Sequence, residues 1–409
     1  MEPLVIVSVA ALVYIIAVKF LGLTDKTEPP SLLHANSKFV HRLLQVCPIL
    51  TETYVPTFLW GRSGHLQTTI YAKVGRFSAP WPQGERFTYV MPDGATCTFD
   101  IFEPTARHPT GGDYTLCVVP GIANNSEKAY VRTFIAFAQS QGFRLAVLNH
   151  LGSLPNVPLT SPRIFTYGDT DEYSALVDHV RERFPESLLI SVGFSMGANI
   201  VVKYLGERPE RQDWFLCGLS ICQGYDITKA TFVLHEWENC RRLYNFMMAL
   251  NMLSQIRRNS SMLFGEQAQA YWQDRNHEPI AYDVDQIMNS TSLVHLDEHM
   301  TYKMIHSNSC EDFYKECSSS AHIDKIHIPL LLLNAADDHI IPVRHNDTPV
   351  RYAQHAPNAL YCLTKHGGHL GFFEGGLLVP NTVSWMDKAI VGYANAVIEI
   401  REQGGVETS

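Results

Sequence analysis

The stretch Leu188-Leu-Ile-Ser-Val-Gly-Phe-Ser-Met-Gly-Ala-Asn199 decides how the rest of the chain is interpreted. An apolar run ends in Gly193-Phe-Ser-Met-Gly197, and a helix-compatible segment, 198–205, follows it. The pattern predicts a buried strand, a tight turn and a helix, with Ser195 at the apex of the turn. The glycines two residues before and after the serine let strand and helix pass closely. We therefore expect the Ser195 hydroxyl to stand clear of the sheet at a helix N-terminus.

Composition indicates one large globular domain with a buried core. The chain has 409 residues, of which 46% are hydrophobic and 18% charged. Its net charge is −9 and it has no basic block, which argues against a nucleic-acid partner. The nine cysteines include no C-x-x-C pair, so buried free thiols are expected rather than a zinc framework. We predict no metal and no organic cofactor, because the sequence has no glycine-rich phosphate loop and no metal-ligand spacing.

The N-terminus reads as a membrane anchor. Residues 4–23 form an apolar run just long enough to span a bilayer, and Lys19 within it can snorkel to the interface. The basic region that opens a signal peptide is missing, since Met1-Glu2-Pro3 carries no cationic side chain. We predict an uncleaved anchor within residues 1–31. The segment Glu28-Pro-Pro-Ser31 separates this anchor from the rest of the chain.

The residues give conflicting indications of orientation in that membrane. Lys19 and Lys26 follow the span and favour a cytoplasmic body. Four N-x-S/T sequons favour a lumenal body. Their asparagines are Asn124, Asn259, Asn289 and Asn346.

From residue 86 onward, apolar strand-like runs alternate with helical patterns. This alternation predicts an α/β domain with a mostly parallel, twisted sheet flanked by helices, in two parts, 86–222 and 322–401. The part between them, 223–321, has helical pieces, the longest at Phe232–Leu253, and no buried strand. We interpret it as a helical cap over the carboxyl ends of the strands. Residues 32–85 are predicted to be an N-terminal extension, in which His65 is a packing or hydrogen-bonding residue, and 402–409 a loose tail. The predicted strands are 86–90, 96–102, 115–119, 144–148, 188–193, 216–221, 330–334 and 359–363.

A serine hydroxyl needs a base to accept its proton, and the base needs a carboxylate to orient it. Two loops that follow predicted strands offer these groups, Ala335-Ala-Asp-Asp-His339 and Thr364-Lys-His-Gly-Gly-His-Leu-Gly371. The order serine, acid, histidine is the one that this architecture uses. The residues around Asp337 and Asp338 do not indicate which of the two faces the histidine, so both are candidates for the acid. His366 and His369 are both available as the base, and Gly367-Gly368 favours His369.

The oxyanion that forms during attack on an acyl carbonyl needs two backbone donors. One is expected to be the N–H of Met196, directly after the serine. The other is expected in the loop that begins Pro120-Gly-Ile-Ala-Asn124. The N–H of Ile122 is the first choice there, and that of Gly121 is the alternative.

Several motifs together resemble a known family. They are Trp60-Gly-x-x-Gly-His-x-Gln-Thr68, Asn149-His-Leu-Gly152, Thr160-Ser-Pro-Arg163, the turn around Ser195, Asn334-Ala-Ala-Asp-Asp338 and His366-Gly-Gly-His-Leu-Gly-Phe-Phe-Glu374. The chain is similar to the membrane-anchored lipase branch of the α/β-hydrolases over nearly its whole length. The resemblance implies Ser195 as nucleophile, Asp338 as acid and His369 as base. It also implies a single-pass type II anchor and hydrolysis of acylglycerol esters, with a steroid-stimulated branch.

We therefore predict a serine lipase with an α/β-hydrolase fold that cleaves acylglycerols, above all monoacylglycerol, at a membrane. The apolar N-terminus and the Met-rich segment 246–253 favour a lipid ester over a polar substrate by association. The same three residues would also serve a phospholipase, a thioesterase or an acyltransferase. The alternative from another class is a lipid- or steroid-binding membrane protein without catalysis.

Overall fold

A single mixed sheet forms the centre of the molecule. The computed structural model describes residues 3–275 and 278–404. Within these residues the strands, in chain order, are β1 (Ser31–Leu33), β2 (Glu85–Val90), β3 (Thr96–Phe102), β4 (Tyr114–Val119), β5 (Arg144–Asn149), β6 (Leu188–Phe194), β7 (Phe215–Ile221), β8 (Leu330–Ala335) and β9 (Ala359–Thr364). Their order across the sheet is β1-β9-β8-β7-β6-β4-β5-β3-β2.

The six strands from β4 to β9 pair in parallel, and antiparallel strands close both edges. The antiparallel β2–β3 hairpin continues the sheet beside β5. Strand β1 was not predicted; it pairs with β9 in antiparallel register, with Ser31 opposite Leu363. Three residues are too few to show a strand periodicity, so only the pairing partner reveals this strand. The N-terminal extension is thus part of the sheet.

Helices cover both faces of the sheet. One face packs against α5 and α6, and the other against α2, α4 and α16, so that each face has its own apolar core. In chain order the α-helices of the described residues are α1 (Pro3–Phe20), α2 (Lys38–Val46), α3 (Gly64–Lys73), α4 (Ala129–Ser140), α5 (Asp171–Arg183), α6 (Met196–Glu207), α7 (Ile227–Val233), α8 (Arg241–Arg258), α9 (Ser260–Phe264), α10 (Glu266–Asp274), α11 (Val284–Met288), α12 (Leu293–Leu296), α13 (Tyr302–Met304), α14 (Cys310–Cys317), α15 (Asp347–His355) and α16 (Trp385–Glu402).

The segment predicted as a cap, 223–321, is helical from α7 to α14 and has no strand in its described part. The single helix predicted over Phe232–Leu253 is wrong, because α7 ends at Val233 and α8 begins at Arg241. Asn239 and Cys240 between them have φ of 50° and 57°. Residues in this left-handed conformation interrupt an α-helix. The apolar pattern of the sequence gives no indication of these backbone angles, so it did not reveal the break.

The structure can be compared with the predictions at both ends of the chain, the anchor at the N-terminus and the tail at the C-terminus. Within 3–275 and 278–404, no helix combines the length and the apolar character that a membrane crossing requires. The anchor predicted at 4–23 is therefore not supported. At the other end, α16 begins at Trp385, because Ser384 and Asp387 form a capping box there. Of the tail predicted as loose, Glu402 belongs to α16, and 405–409 lie outside the described residues.

Candidate active site

The turn between β6 and α6 presents Ser195 at the carboxyl edge of the sheet. Ser195 has φ of 53° and ψ of −119°, a region that residues other than glycine seldom occupy. The packing around the turn holds this conformation, because a Cβ on Gly197 would collide with the backbone carbonyl of Val119. Only glycine at position 197 lets α6 approach β4 so closely. The turn therefore requires the G-x-S-x-G pattern for steric reasons.

Three side chains from distant parts of the chain meet above this turn. Ser195 Oγ lies 2.8 Å from His369 Nε2, and His369 Nδ1 lies 2.8 Å from Asp338 Oδ2. An ionised carboxylate can only accept, so Nδ1 carries the proton and Nε2 is left to accept from the serine hydroxyl. The other oxygen of Asp338 accepts from the N–H groups of Ile340 and Ile341, at 2.8 and 2.9 Å. This series of hydrogen bonds has the geometry that a nucleophile, a base and an orienting acid require.

The neighbouring candidates, the partly buried Asp337 and the buried His366, lie near each other outside this series. His366 Nδ1 and Asp337 Oδ2 are 3.8 Å apart, which is too long for a hydrogen bond. Asp337 Oδ1 instead accepts the N–H of Gly368 at 2.8 Å, and burial raises the pKa of the Asp337 carboxyl. Asp337 therefore supports the loop that carries His369, whereas Asp338 faces its ring.

Helix α3 holds the same loop from outside. Thr68 Oγ1 accepts the backbone N–H of His369, and Gln67 Oε1 accepts that of Phe373, both at 2.9 Å. The helix can lie close to the acid loop only because residue 64 is glycine. A Cβ at this position would collide with the carbonyl of Asp337. Sequence reasoning missed this role, since residues 60–69 contain no group that catalysis needs. The sequence feature that could have indicated this role is the motif Trp60-Gly-x-x-Gly-His-x-Gln-Thr68, which is one of the motifs that carry the family resemblance.

The loop after β4, which carries the predicted oxyanion donors, lines the same cavity as Ser195. The N–H of Gly121 donates to the buried hydroxyl of Tyr130 at 3.0 Å, so this donor is already engaged. Ile122 lines the same cavity as Ser195. Met196 is the first residue of α6, a position at which backbone N–H groups have no intrahelical acceptor. This geometry favours Ile122 over Gly121 as the second donor.

Ser195 and His369 line a cavity of about 420 Å³. This volume is in the range of small-molecule sites, which combine apolar walls with a few polar groups. Two lysines, Lys73 and Lys128, belong to the wall. Burial, and then the neighbouring Arg258, lower the pKa of Lys128. Other lining residues are Thr68, Tyr71, Val74, Ile122, Asn124, Tyr244, Met247, Met248, Asn251, Ile340 and Leu370.

The cap contributes one wall of this cavity through α8 and is tied to the acid loop. Tyr244 of α8 hydrogen-bonds His65 Nδ1 at 2.8 Å, and the His65 ring stacks on His339 at 3.8 Å. Arg241 Nε donates to the His339 carbonyl at 3.1 Å. Burial, and then His65, lower the pKa of His339 to about 4, so its ring is neutral near pH 7. His339, the residue after Asp338, thus joins the cap to the acid loop.

One group of side chains has the proximity that a metal site needs. Donor atoms of Cys222, Asp338 and His369 lie within 4.8 Å of one another, all three buried. Asp338 and His369 already hydrogen-bond each other. Burial raises the pKa of the Cys222 thiol well above its ordinary value, which disfavours the thiolate that metals bind. The cluster fits a catalytic pair with an inert neighbouring thiol better than a metal centre.

Comparison with known proteins defines the family. A family model described as alpha/beta hydrolase fold matches residues 114–376, more than half of the chain. The chain belongs to the α/β-hydrolase family. This α/β-hydrolase is 45% identical over 392 residues to monoacylglycerol lipase ABHD2 of Mus musculus, covering 96% of this chain and 91% of that protein. It is 38% identical to Abhydrolase domain-containing protein 2 of Drosophila melanogaster, covering 97% of each chain.

A more distant relative is phospholipase ABHD3 of Homo sapiens, 25% identical, with 94% of this chain and 88% of that protein covered. The family match and the two nearer relatives confirm the predicted α/β-hydrolase fold and the resemblance on which it drew. They also confirm that this α/β-hydrolase is an enzyme of the serine esterase and lipase class.

Proposed function

We propose that this α/β-hydrolase is a monoacylglycerol lipase that uses Ser195 as nucleophile, His369 as general base and Asp338 as orienting acid. The observation that carries the proposal is the continuous hydrogen-bond series from Ser195 through His369 to Asp338, at the wall of an apolar cavity. The 45% identical relative of Mus musculus, named a monoacylglycerol lipase, supports the choice of substrate.

The geometry supports a two-step acyl transfer. His369 Nε2 accepts the Ser195 proton while Oγ attacks the ester carbonyl, and Asp338 stabilises the resulting imidazolium. The N–H groups of Met196 and Ile122 stabilise the oxyanion; loss of one such donor typically costs about 2.7–4 kcal/mol. His369 then returns the proton to glycerol, the leaving alcohol. Water, activated by the same histidine, releases the fatty acid, so the cycle requires no cofactor.

Product analysis tests this proposal. The purified full chain is given monoacylglycerols, a triacylglycerol, a phospholipid and an acyl-thioester at matched acyl chain, and released fatty acid is measured by mass spectrometry. We expect the highest kcat/KM on monoacylglycerol, and a fall of about 10⁴-fold or more in Ser195→Ala. Faster cleavage of another ester would reassign the substrate. Unchanged activity in Ser195→Ala would reject the catalytic role.

A second candidate, hydrolysis of lysophospholipids, is favoured by the two lysines of the cavity wall. A neutral glycerol leaving group has no use for cations, whereas a glycerophosphate would interact with Lys73 and Lys128. Replacing Lys128 with Met separates the two substrates. Activity on a lysophosphatidic acid should fall relative to monoacylglycerol if the phosphate is bound there. An unchanged ratio would leave monoacylglycerol as the better assignment.

The membrane role is proposed for helix α1. Apart from Ser8, Tyr14 and Lys19, its described side chains are apolar, and most are exposed, for example Val7 (64%) and Ile15 (60%). A helix that is apolar all round needs an apolar environment, and a lipid surface supplies one. Attachment by α1, a type II orientation and stimulation by a steroid stay predictions. Flotation of the full chain with vesicles, with and without residues 1–23, tests the first of them.

The sequons are unequal as glycan acceptors. Asn259 and Asn346 are buried and hydrogen-bonded, and Asn124 lies in the cavity wall. Asn289 is exposed at the end of α11. A mobility shift on glycosidase treatment that disappears in Asn289→Gln would place this part of the chain outside the cytosol.

A further inference from the structure

A group of exposed apolar side chains lies outside both the cavity and α1. Two segments contribute to it, 55–59 and 377–379, and we call their six exposed apolar residues the apolar ledge. Between 37% and 64% of the surface of each residue is exposed. A contiguous exposed apolar surface indicates an interaction site, whereas single exposed residues do not. The ledge consists of Val55, Phe58, Leu59, Leu377, Leu378 and Val379.

Hydrogen bonds hold the two segments of the ledge side by side. Phe58 N–H donates to the Gly376 carbonyl and Leu59 N–H to the Leu377 carbonyl, each at 3.1 Å. The indole of Trp60 donates to the Leu378 carbonyl at 2.8 Å. The backbone is therefore fixed on both sides while the apolar side chains face solvent. This surface is built into the fold and does not result from a loose loop.

The ledge is continuous with the C-terminal end of α1. Arg62 makes the connection: its Nη1 donates to the Phe58 carbonyl at 3.1 Å, and its guanidinium lies 5.6 Å from the Phe58 ring centre. On its other side, a Cβ on Gly22 would lie 2.8 Å from the Arg62 carbonyl oxygen. The ring of Phe20, the last residue of α1, stacks on His65 at 6.2 Å. The C-terminal end of α1 therefore lies next to Arg62, which borders the ledge at Phe58.

Both segments of the ledge adjoin elements that form the cavity. Segment 55–59 leads into α3, which supplies Thr68, Tyr71 and Lys73 to the cavity wall. Segment 377–379 follows the loop that carries His369 and Leu370, two further wall residues. The rings of Trp60 and Phe373 pack beneath the two segments at 5.4 Å. A partner that covers the ledge would therefore contact segments that connect to α3 and to the loop of His369.

We propose that the apolar ledge is a second membrane contact, which inserts into the boundary between lipid headgroups and acyl chains beside α1. This inference rests on the proposed function, in which the substrate is a membrane lipid. The lipid surface is favoured as occupant by continuity with the apolar α1 and by Arg62 between them, since a guanidinium beside apolar rings suits an interface with phosphate headgroups. The contact would present the cavity to lipid and let a monoacylglycerol enter without crossing water.

Kinetics on two physical forms of substrate test the proposal. The full chain is reconstituted into phosphatidylcholine vesicles that contain monoacylglycerol, and the same preparation is assayed on a water-soluble short-chain ester. The double substitution Leu377→Ser and Val379→Ser should raise the KM for vesicle substrate by about 5-fold or more, with soluble-ester kinetics unchanged. The matched control replaces Phe232 and Trp237, which are 74% and 79% exposed on the cap, with Ser. An equal effect of both double variants, or none from the ledge, would overturn the proposal.

A second measurement reads contact without catalysis. Leu378→Trp and Phe232→Trp are compared with the wild type in vesicles of brominated phosphatidylcholine, which quenches tryptophan fluorescence at short range. We expect extra quenched fluorescence from position 378 and none from 232. Equal signals would contradict the proposal, as would lipid-free dimers that the ledge substitutions dissociate. Quenching does not depend on turnover. If the substrate assignment is wrong, only the kinetic assay will fail, and the quenching at position 378 will remain.

Discussion

The turn that carries Ser195 and the loop that carries His369 are built in different ways. The turn depends on residues next to it in the chain: β6, α6 and a glycine that the approach to β4 requires. The His369 loop is held by residues some 300 positions away, since Thr68 and Gln67 of α3 accept its N–H groups. The acid loop is likewise joined to the cap through Arg241. A locally determined feature can be read from a sequence motif, whereas support from distant residues has to be found in the structure.

The adjacent carboxylates Asp338 and Asp337 give the sharpest contrast. Asp338→Asn should lower kcat by about 10⁴-fold, because an amide favours the wrong tautomer of His369. Asp337→Asn should lower it by only about 10-fold, because this residue acts on the loop through the N–H of Gly368. Steady-state kinetics on monoacylglycerol separates the two roles. Equal losses would show that the two acids are not distinguished by their contacts.

Asp297 tests long-range support in the cap. It is fully buried and accepts hydrogen bonds from Tyr167 and Tyr314, and burial raises its pKa to about 7. Between about pH 4 and 7 the folded state keeps a proton that the unfolded state has released, so stability from this group falls as pH rises. Wild type should therefore lose on the order of 2–4 kcal/mol more than Asp297→Asn between pH 4 and 8.

Thermal unfolding at these pH values measures that difference. The isosteric amide cannot ionise, so its stability should lack the corresponding slope. Parallel pH profiles of Asp297→Asn and wild type would contradict the raised pKa. A profile that differs in the opposite direction would mean that the ionised carboxylate is the better-bound form.

Substitution of Gly197 tests the local turn. A Cβ at this position meets the Val119 carbonyl, a backbone atom that cannot move aside easily. Gly197→Ala should lower stability by about 1–3 kcal/mol and reduce kcat as well, because the strained Ser195 backbone relaxes. Thermal unfolding together with kinetics measures both effects.

Thr68 gives the smallest expected effect and bears directly on the distant support. Thr68→Val keeps the shape but removes the acceptor of the His369 N–H, and we expect kcat to fall about 10-fold, equivalent to about 1.4 kcal/mol. Thr68→Ser, which keeps the hydroxyl, should restore most of the activity. If both variants behave like wild type, α3 does not position the histidine.

The sequence predicted strands β4 to β9 well because each is a short, mostly apolar run bounded by turn residues. It also predicted the order of Ser195, an acid and a histidine, and in the structure His369 hydrogen-bonds both Ser195 and Asp338, each at 2.8 Å. From the residues alone, the choice between Asp337 and Asp338 stayed open, since neighbouring side chains diverge according to contacts that no local pattern contains.

What could not be predicted depends on pairing partners or on single backbone angles. Strand β1 forms only because β9 offers it an edge. The break between α7 and α8 results from positive φ at Asn239 and Cys240, in an otherwise helical pattern. The hydrogen bond of Gly121 to Tyr130, which favours Ile122 as oxyanion donor, is a tertiary contact of the same kind.

The account depends on Ser195 as a nucleophile activated by His369. Labelling of the full chain with a fluorophosphonate probe, followed by peptide mass mapping, tests it most directly. We expect one adduct, on Ser195, which is absent from Ser195→Ala and forms at least about 10³-fold more slowly in His369→Ala. An adduct on another residue, or equally fast labelling of Ser195 without the histidine, would contradict the account.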